Sequence, residues 1–130
     1  MTSRGWALIT GSSAGIGAEF SQLLASEGYN LVLVARDSSN LEQQAQSLSQ
    51  MFPGIQTEIL SADLSVAADV QKVSDRISAT DNHINVLINN AGFGINQRFS
   101  SGDLDKEQYM LDVLVGAVLR LTHGAVTAMK

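Results

Sequence analysis

The sequence predicts an α/β fold, a doubly wound parallel sheet of about four strands in the order 3-2-1-4 with helices on both faces. Three observations lead there. Short apolar segments alternate with longer segments of helical period along the 130 residues. Two of the short segments, "LVLVA" and "INVLI", are apolar almost throughout, as strands buried on both faces are. The first short segment runs straight into a glycine-rich corner, "GSSAGIG", after which helical spacing resumes.

The elements follow in order. Trp6–Thr10 reads as the first strand, and Ile16, Phe20, Leu23 and Leu24 mark one face of the helix after it, which Gly28 closes. Leu31–Ala35 is the second strand. Leu41, Ala45 and Leu48 share the face of the next helix, with Asn40 as candidate cap and "FPG" at its end. Ile55–Leu60 is the third strand. Val66, Val70, Val73 and Ile77 follow Ser65, the expected N-cap of the third helix. Ile84–Asn89 is the fourth strand. Parallel strands joined by right-handed crossovers place the ligand crevice at their carboxyl ends, beside the first strand, where Gly11–Gly17 falls.

Length and composition narrow the function. Residues 1–130 are expected to form one domain. The net charge of −5 argues against a nucleic-acid partner, which needs a basic face. No apolar run approaches 18 residues, so no membrane partner is expected. No basic segment followed by an apolar run opens the chain, and there are no cysteines; both fit a cytoplasmic location. Without cysteine or an evident carboxylate pair at ligand spacing, no metal site is expected. His83 and His123 read as surface or packing residues, and Lys72, Asp75 and Arg76 as an exposed helix face.

The glycines carry the chemistry. Gly11 permits a tight strand-to-helix turn, Gly15 lets an anion approach the bare backbone, and Gly17 lets the helix pack closely on the strand. The freed N–H groups and the helix dipole suit a pyrophosphate, and Ser12 and Ser13 could add hydroxyl donors. A merely tight turn is the other reading of such a triplet. The Lys-Ser/Thr pair of a triphosphate loop is missing.

"TGSSAGIG" resembles the TGxxxGxG signature of the short-chain dehydrogenase/reductase family, whose nucleotide domain is Rossmann-like. "SADL" at Ser61–Leu64 looks like the family's acidic segment after the third strand. "NNAG" at Asn89–Gly92 matches its motif after the fourth, and "LTHGAVTAM" at Leu121–Met129 is similar to its long fifth helix. The resemblance covers essentially the whole chain. It implies an oxidoreductase that moves a hydride between a nicotinamide and a carbonyl or alcohol carbon. It also implies dinucleotide contacts at Gly11, Ser12, Ser13, Gly15, Ile16 and Gly17, at Asp63 and Leu64 beside the adenine, and at Asn90, Ala91 and Gly92 along the adenosine and ribose. Asn89 is expected to tie adjacent strands, and Asp63 could instead serve as a helix N-terminal acid.

Arg36, after the second strand, stands where an acid would bind a ribose 2′-OH and an arginine a 2′-phosphate. It favours NADP over NAD as the cofactor. A solvated arginine is the other reading, and Asp37 next door could reach the ribose itself.

The family's reaction uses a tyrosine whose pKa is lowered by a lysine four residues later, together with a serine. Here Tyr29 is followed at that distance by Leu33 and Tyr109 by Val113, so no catalytic residue is assigned. The expectation is a partial nucleotide-binding domain, cut before the catalytic Ser, Tyr and Lys and inactive alone; an inactive dinucleotide sensor or interaction module is the alternative. Leu114 falls where the family's relay asparagine is expected, and Thr127 where a proline is usual. Met110–Met129 is apolar nearly all round. One side should cover the sheet, and the other fits either a homo-oligomer contact or burial under further chain.

Overall fold

The computed structural model describes residues 4–130. Four strands, β1 (Trp6–Thr10), β2 (Asn30–Ala35), β3 (Thr57–Ser61) and β4 (Ile84–Ile88), form one parallel sheet in the order β3-β2-β1-β4. Between them run α1 (Gly15–Ser26), α2 (Ser38–Met51) and α3 (Ala67–Ser78). After β4, α4 (Leu104–Leu111), a π-helical turn (Asp112–Ala117) and α5 (Val118–Met129) follow without interruption. The expected order and layering are both present.

Alternation along the strands builds two cores. Trp6, Leu8, Val32 and Val34 point to one face of the sheet, where Val70, Val73 and Ile77 of α3 and Leu121 and Ala125 of α5 cover them. Ala7, Ile9, Leu31 and Leu33 point to the other, under Ala25 of α1 and Leu41 and Leu48 of α2. Side chains alternate with period two on a strand, so a run that is apolar at every position must be covered on both faces.

Several local expectations are corrected. In α1 the buried residues are Gly17, Ser21 and Ala25, while Ile16 and Leu23 are 69% and 54% exposed. Small side chains let α1 lie close against the sheet, and Ser21 Oγ donates internally to the Gly17 carbonyl (2.8 Å). The α2 cap is Asp37, whose carboxylate accepts from the Ser39 and Asn40 amides (2.9 and 3.3 Å); Asn40 lies inside the helix. The α3 cap position is Val66, with no side-chain bond, while Ser65 turns to Asp63 (2.7 Å). The third strand starts at Thr57 because Ile55 closes a turn onto Phe52 (3.2 Å).

Arg76 is not on an exposed face. Its side chain is 13% exposed, pairs with Glu58 (2.7 Å) and lies over the Trp6 ring at 5.6 Å. Lys72, though exposed, donates to the Ser61 carbonyl (2.8 Å). The 26-residue stretch Leu104–Met129 is, by length and composition, long and apolar enough to cross a membrane, against expectation: an 18-residue window within it has a mean hydropathy of 1.3. Its Val113, Ala117, Leu121 and Ala125 are nonetheless buried in the core shared with α3 and the sheet. Leu111, Val115, Leu119 and Val126 form an exposed apolar side.

Candidate nucleotide-binding site

A cleft of about 610 Å³ opens at the carboxyl ends of β1, β2, β3 and β4. It brings together Gly11, Ser13, Gly15, Ile16, Arg36, Asp63, Leu64, Asn90, Ala91 and Gly92. These come from four separate turns, and the sheet alone makes them neighbours. Two expected residues stand off the wall. Ser12 is fully buried; its hydroxyl donates to Gln44 Oε1 (3.1 Å), and its carbonyl accepts from Gln44 Nε2 (2.6 Å). It is a structural link from the corner to α2 and offers no hydroxyl to a ligand. Gly17 lies beneath the corner.

Each glycine of the corner has a different physical reason. Gly11 has φ of +63°, and a Cβ there would meet the Ala91 Cα at 2.8 Å. At Gly17 a Cβ would overlap the Gly11 carbonyl and stand 2.5 Å from Asn90 Nδ2. Gly15 has φ of +54° and open space where its Cβ would be. So two glycines are required by the protein's own packing, whereas the third leaves room beside the N-terminus of α1. A bare, positively polarised helix start facing an open cleft is a cradle for an anion.

The β4 exit is held by a residue that sequence reading passed over. Thr10 Oγ1, buried, accepts from the Asn90 and Ala91 amides (both 3.0 Å) and donates to the Ile88 carbonyl (3.4 Å). Asn90 Nδ2 donates to the Gly11 carbonyl (3.1 Å). Asn90 thus joins the two loops, while Asn89 donates to Thr122 of α5 (3.0 Å) and ties no strand to another. The threonine of "TG" was the available signal.

On the far side of the cleft, Arg36 Nη1 donates to the Tyr109 hydroxyl (2.9 Å), which donates to Asp63 Oδ1 (3.4 Å). The Tyr109 ring leans on Phe93, centroids 5.1 Å apart, and Val113 lines the wall one turn later. Tyr109 was not legible as a site residue, because its partners Arg36 and Asp63 lie far off in the sequence; Phe93, next to Gly92, and Val113, in the π-helical turn, reach the cleft with it. Asp37 lines the cleft too, but its Oδ1 is engaged in capping α2.

The Asp63 carboxyl feels several opposing influences. Burial is the largest influence and pushes its pKa up. The Ser65 hydroxyl and amide, the Arg36 charge and the Tyr109 hydroxyl together outweigh it and hold the carboxyl below its ordinary value. A carboxyl with a lowered folded pKa stabilises the fold above its unfolded pKa, and that contribution is lost as pH falls through the folded value. The gap in melting temperature between the parent and Asp63→Asn should therefore be widest at neutral pH and close on acidification below the carboxylate range. A gap independent of pH would contradict this.

Among the described residues no group of three or more His, Asp or Glu is placed to hold a metal ion; His83 is half-buried and His123 exposed. Leu114, in the π-helical turn, stands beside Gly92, with its Cδ2 2.5 Å from where a Gly92 Cβ would be.

A family model described as short chain dehydrogenase matches residues 5–130. A very-long-chain 3-oxoacyl-CoA reductase of Podospora anserina is 34% identical over 95% of this chain and 36% of its own length. One of Aspergillus terreus is 42% identical over 67% of this chain and 25% of its own length. Among solved structures, the bulky-bulky ketone specific alcohol dehydrogenase of Comamonas testosteroni superposes with a TM-score of 0.91 at 32% identity, covering 97% of this chain and 50% of that one. L-sorbose reductase of Gluconobacter frateurii, complexed with NADPH and L-sorbose, gives 0.89 at 35% identity, covering 98% and 48%. The chain thus spans about a third or less of these curated relatives and about half of these solved structures. With its parallel sheet, its bare glycine corner and this match from residue 5 to residue 130, the chain belongs to the short chain dehydrogenase family.

Proposed function

We propose that this chain is the NADP(H)-binding part of an oxidoreductase acting on carbonyl or alcohol substrates. The observation that carries the reading is Gly15: a positive φ and an empty Cβ position at the start of α1, opening on the cleft. Gly11, Ser13, Gly15 and Ile16 would hold the pyrophosphate, Asp63 and Leu64 the adenine, Arg36 the 2′-phosphate, and Asn90, Ala91 and Gly92 the adenosine and ribose path. When bound, the nicotinamide supplies the hydride donor or acceptor. The NADPH complexes of L-sorbose reductase and of a Sphingobium yanoikuyae short-chain dehydrogenase support the phosphorylated cofactor, and the reductase relatives support a carbonyl substrate.

No Tyr in this sequence has Lys four positions on, so the 130-residue chain should bind nucleotide without turnover. Calorimetric titration with NADPH and NADH, beside an NADPH-oxidation assay on a carbonyl panel, tests both halves. Binding with preference for NADPH and no oxidation is expected; oxidation by the chain alone overturns the claim of inactivity, and no binding overturns the cofactor. Leu114 favours a second reading, a nucleotide-binding module without catalysis, because leucine at that place beside Gly92 can neither donate nor accept a hydrogen bond.

The exposed side of the last helix, with Leu111, Val115, Leu119 and Val126, supports a homo-oligomeric contact. Sedimentation velocity should show association that rises with concentration; a monodisperse monomer would count against it.

A further inference from the structure

Tyr109 sits on α4, half-buried, with its hydroxyl between the end of β2 and the end of β3. That oxygen accepts from Arg36 Nη1 at 2.9 Å and donates toward Asp63 Oδ1 at 3.4 Å. The donor count is consistent, since a phenol has one proton to give and lone pairs to receive with. The ring cannot swing freely because it leans on Phe93. Asp63 is itself fixed by the Ser65 amide and hydroxyl (3.0 and 2.7 Å). The result is a chain of contacts, Ser65–Asp63–Tyr109–Arg36, whose last member is an exposed, long and otherwise loosely held side chain on the cleft rim.

Resting on the nucleotide-binding reading above, we propose that Tyr109 is the positioning residue for Arg36, and that it sets the preference for a 2′-phosphorylated dinucleotide. Arginine carries five N–H donors, and the bond to Tyr109 occupies only one nitrogen, Nη1. Nη2 and Nε remain as a fork for a phosphate. Holding the guanidinium before the ligand arrives removes part of the rotamer entropy that a free arginine loses on binding. The phenol also stands between Arg36 and Asp63, which would otherwise draw the guanidinium into a direct ion pair. Asp37, the other nearby acid, has its Oδ1 engaged by the Ser39 and Asn40 amides. The discriminating unit is therefore the pair Arg36 and Tyr109, drawn from opposite ends of the sequence.

The test is calorimetric titration of the parent and Tyr109→Phe with NADPH and with NADH. Phenylalanine keeps the ring on Phe93 and removes only the hydroxyl. The NADPH-to-NADH affinity ratio should fall about three- to tenfold, the range of one hydrogen bond, with NADH affinity and the melting temperature nearly unchanged. In an Arg36→Ala background the same substitution should leave the ratio where it is, which a merely structural role would not predict. An unchanged ratio, or equal weakening of both nucleotides, overturns the proposal, as does a parent chain that binds both nucleotides equally. A parent chain that binds neither overturns the nucleotide reading first.

Discussion

Gly17→Ala is expected to destabilise the chain by about 3 kcal/mol, the upper part of the range for forcing atoms into a packed site. In an ordinary helix the same change is worth about 1 kcal/mol in the other direction. Here the new methyl would overlap the Gly11 carbonyl and press on Asn90 Nδ2, which donates to that same carbonyl. Backbone and hydrogen-bonded amide cannot move aside cheaply, so α1 must lift from β1. Urea denaturation reads the loss as a lower midpoint. Gly15→Ala is the contrast: it has open space but φ of +54°, so it should cost only about 1 kcal/mol, the strain of a left-handed residue. Its larger effect should fall on nucleotide affinity, because its methyl projects into the cleft. Equal stability losses at the two glycines would mean that the close approach of α1 to β1 is not what Gly17 provides.

Arg36→Ala should weaken NADPH binding roughly 10- to 50-fold, in keeping with loss of charge-assisted hydrogen bonds to a phosphate. NADH binding should change little. The difference between the two nucleotides in the parent should shrink as salt rises, because Arg36 is exposed and its charge is screened. Titration calorimetry at low and high salt measures both effects. Equal losses for the two nucleotides would remove Arg36 from 2′-phosphate recognition.

The fold was legible because strand burial dictates it. Runs such as Leu31–Val34, buried at every position, leave few arrangements other than a sheet covered on both faces. The glycine corner was legible for the same reason: only a required close approach justifies bare backbone at a helix start. What was not legible depends on long-range packing. The apolar pattern Ile16, Phe20, Leu23 reads as the inner face of α1, yet the inner face is Gly17, Ser21 and Ala25, since this helix is set close to the sheet. Ser12 looks like a ligand donor by its place in the motif, but Gln44, 32 residues on, takes its hydroxyl. Arg76 looks solvated until Trp6 and Glu58 are brought beneath and beside it. Tyr109 gave no sign at all, because its partners Arg36 and Asp63 are 73 and 46 residues away.

The most direct measurement is an amide-resolved NMR titration of the chain with NADPH. Saturable shifts should concentrate on the N–H groups of residues 11–17, with a second set at Arg36, Asp63 and the residue 90–92 turn, and should be weaker there for NADH at Arg36. Saturable shifts elsewhere with residues 11–17 silent, or no saturable shifts up to millimolar nucleotide, would contradict a dinucleotide seated on the bare start of α1.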